Sequence, residues 1–87
     1  MDGVYTVVIS KIAAKAIRRI ADRKEQTRLR KQIDRLAKDP RPPGSKKLVG
    51  SDNYRVRQGD YRIIYTIQDR ELRIEIVRIG HRGGVYR

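Results

Sequence analysis

The order of apolar and polar positions divides the chain into a short strand, two helices and three further strands. Val4 to Ile9 (VYTVVI) is an apolar run rich in β-branched residues, long enough for a buried strand and too short for a helix. Ser10 stands where a helix N-cap belongs, and Ile12, Ala13, Ala16, Ile17 and Ile20 then recur at helical spacing. Lys11, Lys15, Arg18 and Arg19 fall on the opposite side, so this helix is amphipathic. A polar break over residues 22 to 24 precedes a second helical stripe of Leu29, Ile33, Leu36 and Ala37, with Arg28, Arg30, Lys31 and Arg35 mostly off it. A break this short predicts a helical hairpin.

The run Asp39-Pro40-Arg41-Pro42-Pro43-Gly44 stops the second helix, because proline lacks the N–H a helix interior needs and biases its predecessor away from helical geometry. After an irregular connection, Tyr54 to Gln58 (YRVRQ) alternates, Gly59-Asp60 suits a two-residue turn, and Tyr61 to Ile67 (YRIIYTI) is dense in β-formers. Gln68 to Glu71 makes another turn, and Leu72 to Ile79 (LRIEIVRI) alternates again. The predicted order is βααβββ. The predicted class is α+β, with the helical hairpin packed on one face of a small antiparallel sheet whose other face is wet.

Alternation assigns the faces. On the middle strand of the three, Tyr61, Ile63, Tyr65 and Ile67 share one side while Arg62, Ile64 and Thr66 share the other; Arg55 and Arg57 stand opposite Val56. If the hairpin sets Arg55, Arg57 and Arg62 on the same side, they form a cationic surface. No internal repeat, low-complexity tract or linker interrupts the chain, so a single domain over residues 1–87 is expected.

Composition narrows the partner. The chain carries 22 Lys and Arg against 10 Asp and Glu, a formal net charge of +12, and its pI is near 10.8. Such an excess repels itself in the compact state and points to a polyanion that neutralises it: nucleic acid first, an acidic protein second, an anionic membrane third. A merely solvated basic surface is the bland alternative. Cysteine is absent, which removes disulfides and thiolate metal sites and fits a reducing compartment such as the cytoplasm. No apolar run nears the roughly 18 residues a membrane span needs, and no signal-peptide layout is visible. With one histidine and scattered acids, no metal-ligand spacing can be recognised, and neither a metal nor a cofactor is expected.

The chemistry concentrates at the C-terminal end. Beyond Glu75 there is no acidic residue, and the chain runs Arg78-Ile79-Gly80-His81-Arg82-Gly83-Gly84-Val85-Tyr86-Arg87. Glycines permit close approach to a ligand backbone, arginines hold phosphate in a fork, histidine titrates near neutral pH and tyrosine stacks on a base. Metal-free RNA cleavage needs a 2′-hydroxyl activated against the adjacent phosphorus, charge stabilisation at the phosphate, and a proton for the departing 5′-oxygen. Arginine clusters meet the second need; a general base and acid meet the others.

The order βααβββ, with Leu48 to Gly50, Tyr54-Arg55-Val56-Arg57, Gly59-Asp60-Tyr61-Arg62 with Tyr65, and Gly80-His81-Arg82 followed by Val85-Tyr86-Arg87, resembles the RelE toxins of bacterial and archaeal toxin–antitoxin pairs over nearly the whole chain. The resemblance implies a RelE-like fold of the microbial RNase type and an endoribonuclease that enters the ribosomal A site, cuts the exposed codon, inhibits translation, and is silenced by an antitoxin wrapped around it. It places working residues on Arg55, Arg57, Arg62, Arg82 and Tyr86. Well-studied relatives carry lysines at the two second-strand positions, one of them the general base. Arginine stays protonated at any working pH, so Arg57 is cast as a charge stabiliser, and His81 is assigned base or acid work.

Docking on messenger and ribosomal RNA is expected to use Lys11, Lys15, Arg18, Arg28, Lys31, Arg35, Lys46, Lys47 and Arg87. A RelB-like antitoxin, through which the complex binds operator DNA, is the expected protein partner, and no membrane is involved. Two other readings stay open: a ParE-like toxin that poisons DNA gyrase without cutting, and a noncatalytic nucleic-acid-binding module.

Overall fold

The computed structural model describes residues 4–81, and along them the chain forms β1 (Thr6–Ile9), α1 (Lys11–Arg18), α2 (Arg23–Lys38), β2 (Lys46–Lys47), β3 (Asn53–Gln58), β4 (Tyr61–Gln68) and β5 (Arg73–His81). Each helix begins on a side-chain cap that satisfies backbone N–H groups left without an intrahelical partner. Ser10 Oγ accepts from Ala13 N at 3.0 Å, and Asp22 Oδ1 accepts from Lys24 N at 2.8 Å and Glu25 N at 3.2 Å. Asp39 ends α2 in an extended conformation, as its position before Pro40 requires. No helix among the described residues is long and apolar enough to cross a membrane.

The sheet has five strands in the order β1-β5-β4-β3-β2. Both helices lie on one of its faces, so the α+β reading holds, with two corrections. The sheet is mixed rather than antiparallel, because β1 pairs in parallel with β5 from Thr6↔Arg73 to Ile9↔Ile76. Alternation tells which face a residue takes and is silent about which strand lies alongside. The second correction is β2, whose two lysines carry no apolar pattern and are a strand only because Lys46 and Lys47 pair with Arg55 and Tyr54.

The helical stripes meet the inner sheet face in one core. Ala13, Ile17, Leu29, Ile33 and Leu36 pack against Val56, Ile63, Tyr65, Ile74, Ile76 and Ile79. Tyr65 is fully buried, and its hydroxyl donates to the Pro40 carbonyl at 2.7 Å, which supplies the partner a buried phenol needs. Burial pushes its pKa up to about 12.

Regular pairing of β4 with β5 breaks once. Ile64 faces Arg78 and Tyr65 faces Ile76, so Val77 is an extra residue, a β-bulge. The Ser10 hydroxyl donates to the Val77 carbonyl at 2.8 Å, and Ser10 N donates to the Ile76 carbonyl at 3.0 Å. One serine thus caps α1 and secures the bulge. Ser10→Ala should lower stability by about 1–2 kcal/mol in urea denaturation. Ser10→Asp, which caps but has no proton for Val77, should recover only part of that loss.

On the sheet's other end, Asp69 gathers three segments. It accepts from Tyr5 Oη at 2.6 Å and from Arg41 Nη2 at 3.0 Å, while Arg41 also donates to Tyr54 Oη and lies over its ring. The Arg41 guanidinium, and after it the Tyr5 hydroxyl, hold the Asp69 carboxyl below its ordinary pKa. A carboxylate whose folded pKa is depressed stabilises the fold above its unfolded pKa of about 3.9 and loses that contribution as pH falls through the folded value. The urea midpoint of the wild type should therefore drop more between pH 5 and pH 3 than that of Asp69→Asn, which should start lower and respond less.

Candidate nucleic-acid interface

The β3–β4 hairpin turns on Gly59-Asp60, with Gly59 at φ +60°, the positive value that a type II′ turn demands at its first position. This turn sets the register, and the register sets the face. Arg57 lies directly across from Arg62, and Arg55 across from Ile64, while Val56 and Ile63 point into the core. Residues directly opposite on antiparallel strands have Cα atoms about 4.5–5.5 Å apart. Arg55, Arg57 and Arg62 therefore share the open face of the sheet.

Two rows run across that face. The first contains Arg57 on β3, Arg62 on β4 and Gly80 on β5. The second contains Lys46 on β2, Arg55, Ile64 and, on β5, Arg78. In the next row Thr66 faces Glu75, an acid that tempers the charge at that end. A cleft of about 380 Å³ opens beside the first row, lined by Arg57, Gly59, Asp60, Tyr61 and Arg62. Arg55, Arg57 and Arg78 make no ion pair with any described residue.

Two guanidinium groups held face to face across strands repel each other, and like charges in this relation destabilise a sheet. Facing cations that cost stability are suited to an external anion, and paired guanidinium forks match a phosphate. Arg57→Thr is expected to raise the urea midpoint, with a gain of a few tenths to about 1 kcal/mol.

His81 is not brought to these arginines. It faces Tyr61 on the helix side of the sheet, one step beyond the buried Ile63–Ile79 pair, with its ring edge-on to the Tyr61 ring at 4.8 Å. Ala16, Arg19, Ile20 and Ala21 at the end of α1 close a cavity of about 290 Å³ around this pair. Burial raises the Tyr61 pKa, reinforced by the nearby Glu25, Asp22 and Asp60. His81, assigned base or acid work, thus lies on the sheet face opposite to Arg57 and Arg62.

Among the other expected contacts, Lys46 lies on the arginine face and Lys47 on the opposite one. Lys11, Lys15, Arg18, Arg28, Lys31 and Arg35 are exposed on the helical layer, where Arg28 and Lys31 line a groove with Arg23, Lys24 and Thr27. Arg82, Tyr86 and Arg87 lie outside the described residues. Arg78 was not among the expected site residues. The doublet Ile76-Val77 departs from alternation here, but it is the pairing with β4 that reveals the bulge and turns Arg78 outward.

Fold and face together define a small α+β protein with two helices on one side of a mixed sheet and an arginine-rich surface on the other. The profile of the family described as "ParE toxin of type II toxin-antitoxin system, parDE" matches residues 7–86, and the chain belongs to this toxin family, within the RelE/ParE superfamily. A Mycobacterium tuberculosis protein named Toxin RelE is 29% identical over 87 residues, covering 99% of this chain and 90% of that protein. The archaeal RelE of a RelE–RelB complex from Pyrococcus horikoshii superimposes with a TM-score of 0.82 at 32% identity, over 94% of this chain and 99% of that one. A toxin from Agrobacterium tumefaciens described as YoeB/ParE shares the fold at 14% identity, with a TM-score of 0.75 over 87% of this chain and 96% of its own.

Proposed function

We propose that this toxin is a ribosome-dependent messenger-RNA endoribonuclease that cuts the codon exposed in the A site and so inhibits translation. The observation that carries the reading is the facing pair Arg57 and Arg62, with Arg55 one row away, on an open sheet face beside a cleft. Arg57 and Arg62 grip the scissile phosphate. The 2′-oxygen attacks the adjacent phosphorus, the bond to the 5′-oxygen breaks, and the products are a 2′,3′-cyclic phosphate and a 5′-hydroxyl end.

Negative charge grows on the phosphate oxygens in the transition state, and fixed guanidinium groups meet it there without reorganising. Arg82 supplies a further cation from the C-terminal segment, and Tyr86 stacks on the nucleotide or donates a proton to the 5′-oxygen. No arginine takes up the 2′-hydroxyl proton. His81 acts from the far face as a packing residue, so that proton leaves through water or a phosphate oxygen.

The partner in this reading is a RelB-like antitoxin, in keeping with the RelE–RelB complex from Pyrococcus horikoshii. An acidic or amphipathic segment of it covers the cationic face or the helical layer, and the complex binds operator DNA through the antitoxin. The exposed cations on the helices dock on ribosomal RNA.

Purified toxin on translating ribosomes should cut the message at the A-site codon. Arg62→Ala should slow cutting roughly 100- to 1,000-fold, the range for loss of one preorganised charge-stabilising group. His81→Gln should leave the pH dependence of the rate unchanged. The match to the ParE family favours a second reading, inhibition of DNA gyrase without cleavage. Intact message together with blocked supercoiling would establish that reading in place of the first.

A further inference from the structure

The second row of the open face has a role the first does not explain. Were β5 regular beyond Ile76, Arg78 would point inward beneath α1 and Ile79 outward. The extra residue Val77 reverses this: Arg78 lies across from Ile64 on the open face, and Ile79 lies across from Ile63 at 8% exposure. The bulge is held by Ser10, through its hydroxyl to the Val77 carbonyl and its N–H to the Ile76 carbonyl. It is a built feature that re-aims one charged side chain.

The result is a row of Lys46, Arg55, Ile64 and Arg78 on four adjacent strands, with cations on both sides of one half-buried isoleucine. This row is two residues along the strands from that of Arg57 and Arg62, an offset of about 6.6 Å. Neighbouring phosphates of a single nucleic-acid strand are separated by a step of the same order. Two rows of cations at this offset match two successive phosphates.

We propose that Lys46, Arg55 and Arg78 form a second backbone subsite, which takes the phosphate one nucleotide away from the one held by Arg57 and Arg62, with Ile64 as an apolar seat for the intervening sugar. The occupant is single-stranded RNA, chosen by charge and by the spacing of the rows. The proposal rests on the reading of the open face as the RNA site, and adds Arg78 to it as a binding residue. Arg78 sets the register of the strand and does not touch the reacting atoms.

The test is binding of a short, fluorescently labelled 2′-O-methyl RNA, which has no free 2′-hydroxyl and cannot be cut, measured by anisotropy over a series of salt concentrations. Arg78→Ala should weaken binding roughly tenfold, as expected for loss of a charge-assisted contact, and flatten the slope of log affinity against log salt by about 0.7, the value for one phosphate on a single strand. Arg70→Ala, an equal change of charge in the exposed β4–β5 turn, should leave the slope unchanged. Ile64→Glu, which sets a carboxylate in the middle of the row and leaves Arg78 in place, should reproduce the loss, and Arg78→Lys should restore the slope. Urea midpoints identify any variant whose loss is one of folding.

Equal affinity and slope for Arg78→Ala and Arg70→Ala, with Ile64→Glu also unaffected, would overturn the subsite. Cleavage on ribosomes is scored separately. A wild type that leaves message intact but shows Arg78-dependent binding would sink the nuclease reading and sustain the subsite, whereas intact cleavage without that binding signature would sink the subsite alone.

Discussion

The Ser10 hydroxyl sits at the junction on which the rest of the architecture turns. It accepts the Ala13 N–H that opens α1 and donates to the carbonyl of Val77, the extra residue of the one bulge between β4 and β5. A strand of nine residues with strict alternation would keep one phase from Arg73 to His81. The bulge shifts that phase in mid-strand, so that Ile74 and Ile76 before it and Ile79 after it all reach the core. The same shift carries Arg78 to the open face, sets Gly80 across from Arg62, and returns His81 to the helix side. Core packing and the electrostatics of the open face are thus two consequences of one local irregularity.

Facing cations on the open face cost stability. In a chain of 87 residues with net charge +12, packing must offset both chain entropy and self-repulsion, and small domains have little to spare. Arg57 facing Arg62 adds to that burden where a neutral pair would relieve it. Both guanidinium groups are carried by paired strands, which is the fixed placement that the proposed phosphate contact needs. The Asp69 cluster works in the opposite sense, clamping Tyr5, Arg41 and Tyr54 together at the other end of the sheet with charges that satisfy each other.

Membership of the RelE/ParE superfamily defines the fold and the toxin–antitoxin setting, yet one scaffold can carry unlike activities. The decisive features are therefore those of the open face. Arginine at both 55 and 57 gives permanent charge and forked geometry, which in the proposed nuclease reading suits phosphate stabilisation rather than proton abstraction. The one imidazole of the chain lies against Tyr61 beside the end of α1, on the helix side of the sheet.

Much of this protein was determined by sequence alone, because much of it is local. The helical stripes of Ile17, Leu29, Ile33 and Leu36, the caps at Ser10 and the break at Pro40 follow from a period of 3.6 residues and from backbone chemistry. A period of two residues, with a tight turn at Gly59-Asp60, sufficed to gather Arg55, Arg57 and Arg62 on one face, as their register now displays. Only the tertiary structure decided that β1 lies parallel to β5, that Lys46 and Lys47 form an edge strand, that Arg78 turns outward and that His81 turns in. Periodicity records how a residue faces within its own segment, whereas strand neighbours and bulges arise when segments distant along the chain close on one core, and no local pattern encodes that closure.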